Sequence, residues 1–279
     1  MAGNLFSGME AFGLKNTNSL NVFEESKKAE EKANVVEKKI SEKDYLFDKS
    51  CTCPVCGEQY KIRAVMGNRA KLLGVDRDLR PRHENVDVTK YDVIGCRRCG
   101  YTALSRYFPN IYDSQKKLVR EKISVNITSA PVPYKEVITY EDALTLIKLA
   151  LYNAVVKGAK DSEKAYICLK GMWIARGLSE EKAGDEAALS EAKEIEAEFR
   201  KNAYEGFYKA VQSEDFPMCG MDEATVDYLM AVLSFDLGKD DVASKLVGKI
   251  LQSPSASARL KERTRDLKDE IVKKIKQNK

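Results

Sequence analysis

Cys53-Pro54-Val55-Cys56-Gly57 and Cys96-Arg97-Arg98-Cys99-Gly100-Tyr101 are two Cys-x-x-Cys-Gly knuckles with residues 58–95 between them. Two residues between cysteines let the chain turn back so that both thiolates of a pair reach one metal ion. The glycine supplies the positive φ that closes the turn and aims backbone N–H groups at the sulfurs. Two such pairs spell a four-cysteine site, and Cys53, Cys56, Cys96 and Cys99 are the expected metal ligands. Zinc is the expected ion. Iron is the competitor, because Cys99-Gly100-Tyr101 resembles a rubredoxin knuckle and a tetrahedral thiolate site accepts either metal. A closed four-cysteine site leaves no open coordination position, so it predicts architecture and not a reaction.

Around the knuckles the hydrophobic period is two. Tyr60 to Val65 alternates as a half-buried strand, and Val88 to Ile94 does the same, giving two hairpin arms that bring the cysteine pairs together. Between them, Asp76-Arg77-Asp78-Leu79-Arg80-Pro81-Arg82-His83 is too charged for a core and is expected as a surface excursion. Asp76 and Asp78 are read as neutralising their arginines rather than holding a hard cation, and the lone His83 as an exposed loop residue.

From Asp113 the period becomes 3.6. One helix carries Leu144, Ile147, Leu151, Ala154 and Val155. A second carries Ala165, Cys168, Leu169, Met172 and Trp173 and is expected to end at Gly177. A long third helix runs through Ala188 to Val211, and further helices span Val226–Leu237, Asp240–Leu251 and Ala256 to about Lys276. Trp173, Tyr152, Phe199 and Phe207 fall on or beside the apolar stripes and are expected in the core. Tyr228 to Ala231, Gly238, Ala243, Val247 and Ile250 follow the small-and-large spacing of a tetratricopeptide (TPR) helix pair. The expected fold class is α+β, mostly α. A zinc-ribbon-like β domain over 48–112 precedes an antiparallel TPR-like helical array over 113–279. Residues 1–47 form a flexible or partly helical N-terminal segment, with Leu5, Met9 and Phe12 on one face.

Seven cysteines, three of them (Cys51, Cys168 and Cys219) outside metal spacing, suit a reducing compartment. With no signal-peptide pattern and no bilayer-length apolar run, the expected location is cytoplasmic. Cys51 makes a Cys-x-Cys-x-x-Cys cluster with the first knuckle and is read as an auxiliary thiol, not a ligand. The formal charge is only +4, but the surplus is concentrated in residues 51–110, where Arg77, Arg80, Arg82, Arg97, Arg98 and Arg106 could meet phosphate or an acidic protein. The sequence contains no phosphate loop, HExxH or nucleophile elbow, so no enzyme is expected.

The order of these parts resembles a bacterial family known as domain of unknown function 2225. The resemblance rests on Cys53 to Gly57, Asp76 to Asp78, Tyr91 to Val93 and Cys96 to Ala103, and covers most of the chain from about Phe47. Members often carry proline after the first cysteine of the second knuckle; here that residue is Arg97. The resemblance implies a zinc ribbon fused to TPR-like helices in a cytoplasmic protein and supplies no activity. Three roles remain open. One is an adaptor binding a protein partner through its helices, with Tyr228 as an aromatic anchor. Another is a nucleic-acid regulator using Arg97 and Arg98. The third is an iron or thiol redox protein.

Overall fold

Each knuckle is the tip of its own hairpin. The computed structural model describes residues 40–127 and 134–277. By their contacts, Met1–Lys39 and Ile40–Lys279 fall into two units, and the fold is that of the second. The expected apolar N-terminal face and most of the charged stretch after it lie outside the described residues. β1 (Leu46–Thr52) pairs antiparallel with β2 (Gln59–Val65), Cys51 opposite Tyr60, and the first knuckle joins them. β3 (Leu72–Val75) and β4 (Pro81–His83) form a second hairpin. β5 (Val93–Gly95) and β6 (Thr102–Leu104) form the third and carry the second knuckle. The expected arms therefore do not pair with each other; each folds across its own cysteine pair.

Val88 to Ile94 is not one strand. Residues Val88–Tyr91 form a 3-10 turn and only Val93 onward is extended. Asp87 caps the turn by accepting from the Thr89 N–H at 2.9 Å and from its hydroxyl at 2.5 Å. This local side-chain alternative outcompetes the ladder. Thr89, Lys90 and Tyr91 are all buried in succession, which a strand with one solvent face does not allow.

Seven helices follow among the described residues. They are α1 (Asp113–Lys122), α2 (Tyr140–Val156), α3 (Asp161–Glu181), α4 (Glu186–Ser213), α5 (Glu223–Asp236), α6 (Asp240–Gln252) and α7 (Ala258–Gln277). Side-chain caps start four of them: Thr139 for α2, Asp185 for α4, Asp222 for α5 and Ser257 for α7. From α2 onward each helix packs on the next, and α2 also covers β5 and β6. None is long and apolar enough to cross a membrane. Gly177 does not end α3 but sits inside it. A Cβ there would lie 2.2 Å from the Tyr140 ring, so the missing side chain makes room for a close approach.

Two apolar clusters hold the helices. One joins Val93 and Leu104 to α2, α3, α4 and one face of α5; the other joins the opposite face of α5 to α6 and α7. Trp173, Phe199 and Phe207 are core, as the stripes predict, but Tyr152 is 53% exposed. The buried stripe of α2 runs through Ala143, Leu144, Ile147, Ala150 and Ala154, and Tyr152 projects from its flank.

The charged segment is not a surface excursion. Asp78 is 2% and Arg80 1% exposed. Arg176 of α3 reaches Asp78 at 2.7 Å and Glu196 of α4 at 3.0 Å, while Arg80 reaches Asp87 at 2.7 Å. Burial is possible because almost every charge arriving from the hairpin meets an opposite one already fixed on a helix.

Candidate metal centre

The two knuckles repeat one geometry. In the first, the Cys53 N–H donates to the Glu58 carbonyl and the Gly57 N–H to the Cys53 carbonyl, both at 2.9 Å. In the second, Cys96 N–H meets the Tyr101 carbonyl at 2.8 Å and Gly100 N–H meets the Cys96 carbonyl at 2.9 Å. Gly57 and Gly100 have φ of 77° and 73°, the left-handed turn that glycine adopts without a Cβ penalty. The four sulfurs lie within 4.8 Å of one another, with Cys53, Cys96 and Cys99 buried and Cys56 half-buried.

This donor set fits a metal. A zinc–sulfur bond of about 2.3 Å in a regular tetrahedron sets neighbouring sulfurs about 3.8 Å apart. Cys53 Sγ lies 3.6 Å from Cys99 Sγ, and Cys56 Sγ lies 3.6 Å from Cys96 Sγ. The electrostatics agree. Interaction with Cys53, then with Cys99, draws Cys96 well below the ordinary thiol value, and the same coupling among the sulfurs pushes Cys53 and Cys99 above it. The cluster thus gathers negative charge on a sulfur enclosed by other sulfurs, where a cation displacing the remaining protons would be held. Backbone N–H groups of Cys56 and Val55 bear on the Cys53 sulfur, and those of Cys99 and Arg98 on the Cys96 sulfur. They are the outer-shell donors such a site requires.

Helices grip the knuckles from behind. Arg120 of α1 donates to the Val55 carbonyl at 2.7 Å, Ser124 to that of Cys99 at 2.9 Å, and Asn153 of α2 to that of Gly100 at 3.1 Å. Val119 and Ile123 pack with Val55, Ile94, Tyr101 and Phe108 around the sulfurs. Arg120, Ser124 and Asn153 escaped the sequence reading. The one local signal was an asparagine among the apolar positions of α2, where it is fully buried.

Cys51 is half-buried on β1, outside the group of four, with its thiol pKa raised chiefly by burial. Tyr228, expected as an exposed anchor, is 1% exposed and packs with Ala243, Val247 and Leu260. Its helix, α5, is enclosed by α4, α6 and α7, so a face that a two-helix repeat would leave open is covered. The basic set is largely spoken for. Arg77 pairs with Asp236 and Glu270, Arg82 with Asp76 and Glu180, Arg98 with Glu58, and Arg106 bonds the Cys219 carbonyl. Arg97 lies over the Tyr134 ring at 5.2 Å. Asp76 and Asp78 both face Arg176, as neutralised carboxylates rather than a cation site. His83 ends β4 half-buried, with Nδ1 enclosed.

Comparison with known proteins finds no match among curated proteins and none among solved structures. A family model described as "Uncharacterized protein conserved in bacteria (DUF2225)" matches residues 46–271. That match runs from β1 into α7 and takes in both knuckles, so the chain belongs to this bacterial family of uncharacterised proteins.

Proposed function

We propose that this chain is an adaptor whose four-cysteine zinc ribbon braces a TPR-like helical array, and that the array binds a helix of a partner protein. The observation that carries the reading is a groove of about 410 Å³ between α2 and α4. Both helices pack on α3 and leave a channel lined by Leu151, Tyr152, Val155, Ile195 and Phe199. Tyr152 and Val155 are 53% and 60% exposed, an apolar pair without cover on one side of the channel. Lys148 and Glu198 stand exposed at the rim and form no ion pair among the described residues. An amphipathic helix with an apolar ridge, flanked by one acidic and one basic residue, is complementary to that surface. Zinc is preferred over iron because the closed, helix-braced site suits an ion with no redox task.

A photo-crosslinking residue in place of Tyr152, in the native bacterium, tests the reading. The expected result is one adduct, mapped to an amphipathic segment of another protein and abolished by Val155→Asp. Equal labelling from the 79%-exposed Tyr112, or an adduct only to a second copy of the chain, would overturn it. The nucleic-acid reading is disfavoured because most of its arginines are engaged by carboxylates. A titration against mixed oligonucleotides at two salt concentrations addresses it directly, since phosphate binding would weaken steeply with salt.

A further inference from the structure

Helix α2 faces two ways. Leu151, Tyr152 and Val155 wall the groove, while Leu146 and Asn153, two turns apart on a neighbouring stripe, meet the second knuckle. A Cβ on Gly95 would lie 3.1 Å from Leu146 Cδ2. The Asn153 side-chain amide donates to the Gly100 carbonyl at 3.1 Å and to the Leu149 carbonyl at 2.9 Å. Gly95 immediately precedes Cys96 and Gly100 immediately follows Cys99, so the helix touches the knuckle just outside each of its cysteines. Val156, the last residue of α2, packs against the apolar cluster that contains the sulfurs. That seat is conditional. Asn153 is fully buried, and its side-chain oxygen has no donor among the described residues. A buried acceptor without a donor is costly, so when the knuckle loosens and water reaches that oxygen, the relief favours the displaced helix. A bound ion opposes the displacement by fixing the turns that hold Gly95 and Gly100.

We propose that metal occupancy at the four cysteines governs the groove, with Asn153 as the positioning residue between them. With the ion bound, α2 is seated and the groove accepts its partner helix; without it, α2 shifts as a helix and the partner is released. Such control rests on the cysteines being metal ligands and on the groove being the partner site. Linkage makes it reciprocal: a helix held in the groove tightens metal binding by the factor with which the metal tightens the helix.

Fluorine NMR of the full chain tests the seat without a partner. Trifluoromethylphenylalanine replaces Tyr152 in one sample and, in another, Tyr208 of α4, which is exposed and outside the groove lining. Each sample is measured loaded with zinc, stripped by a chelator and reloaded, with zinc content determined at every step. The signal at 152 should move on stripping and return on reloading, while that at 208 stays. Asn153→Ala should keep its zinc yet move the loaded signal at 152 toward the stripped one; should this variant not fold, the zinc cycle on the otherwise unaltered chain decides. A signal at 152 indifferent to zinc, or equal movement at both positions, overturns the proposal. A chain that takes no zinc sinks the ligand assignment and the proposal with it. The partner is tested with the crosslinker at Tyr152 in the native bacterium, in chains with and without Cys96→Ser. Adduct per chain should fall about fivefold or more in the variant, and an equal yield refutes control of the groove. No adduct from either chain removes the groove reading itself, and control of the groove falls with it whatever the NMR shows.

Discussion

Gly57 and Gly100 close the two knuckles with nearly the same φ, yet their surroundings differ. A Cβ on Gly57 meets nothing within 4 Å, whereas one on Gly100 would lie 2.5 Å from Ile127 Cγ1. Gly57→Ala should therefore carry only the left-handed penalty, about 1 kcal/mol. Gly100→Ala adds overpacking, for a total of about 2–4 kcal/mol. Urea unfolding of the metal-loaded variants measures the difference, and equal costs would mean that Ile127 yields freely. Cys51→Ser is expected to keep one metal per chain with nearly unchanged thermal stability, since four thiolates already complete the tetrahedron; loss of metal would make Cys51 a ligand in place of Cys53. At this scale the cysteines were legible because metal spacing is local in sequence. Tyr228 was not, since a helical period shows which residues share a face but not how many neighbours cover that face.

The β3–β4 hairpin is joined to the helices by one run of charge. It passes from Glu270 on α7 through Arg77, Asp236, Arg200, Glu196, Arg176 and Asp78. Arg176 also reaches Asp76, from which Arg82, Glu180, Arg80 and Asp87 continue the run. Tyr140 of α2 ends it by donating to Asp87 at 3.0 Å. Removing one member strands a buried partner, so Arg176→Ala should cost about 3–5 kcal/mol. Arg98→Ala, which breaks an exposed pair with Glu58, should cost under about 1 kcal/mol. Similar losses from the two would refute the buried network. Burial works against the charge on Asp87, but Arg80 and the bonds from Thr89 outweigh it and hold its pKa below the ordinary value. The unfolded chain thus binds the proton more tightly, and the stability Asp87 supplies is complete above about pH 4 and lost as acid titrates it through its depressed pKa. Melting curves from pH 3 to 6 should show this acid limb shallower in Asp87→Asn; an unchanged limb would contradict the assignment. The helices could be read from their period, but this network could not. Its partners stand far apart in sequence, and locally Asp76 to His83 has the composition of a loop.

Across Ile40–Lys279, the four-cysteine cluster and the helices share one body but not one core. Arg120, Ser124 and Asn153 join knuckle backbone to helix, while the two large apolar clusters contain none of the four knuckle cysteines. Structural zinc contributes on the order of 10 kcal/mol to small ribbons, comparable to a domain's whole stability. Its loss should unravel the knuckles and loosen α1, whose Val119 packs there, while most helical circular dichroism survives. That short strands precede the helices was legible from the switch of period near Asp113. The bracing was not, because it depends on single polar side chains bonding to carbonyls. The claim beneath the whole account is that Cys53, Cys56, Cys96 and Cys99 hold one structural metal ion. Metal analysis with thiol counting on the purified protein, wild type beside Cys96→Ser, tests it most directly. The expected result is one zinc per chain, with Cys53, Cys56, Cys96 and Cys99 protected until the metal is chelated, and no zinc in the variant; stoichiometric zinc retained by Cys96→Ser, or a wild type that carries no metal, would contradict it.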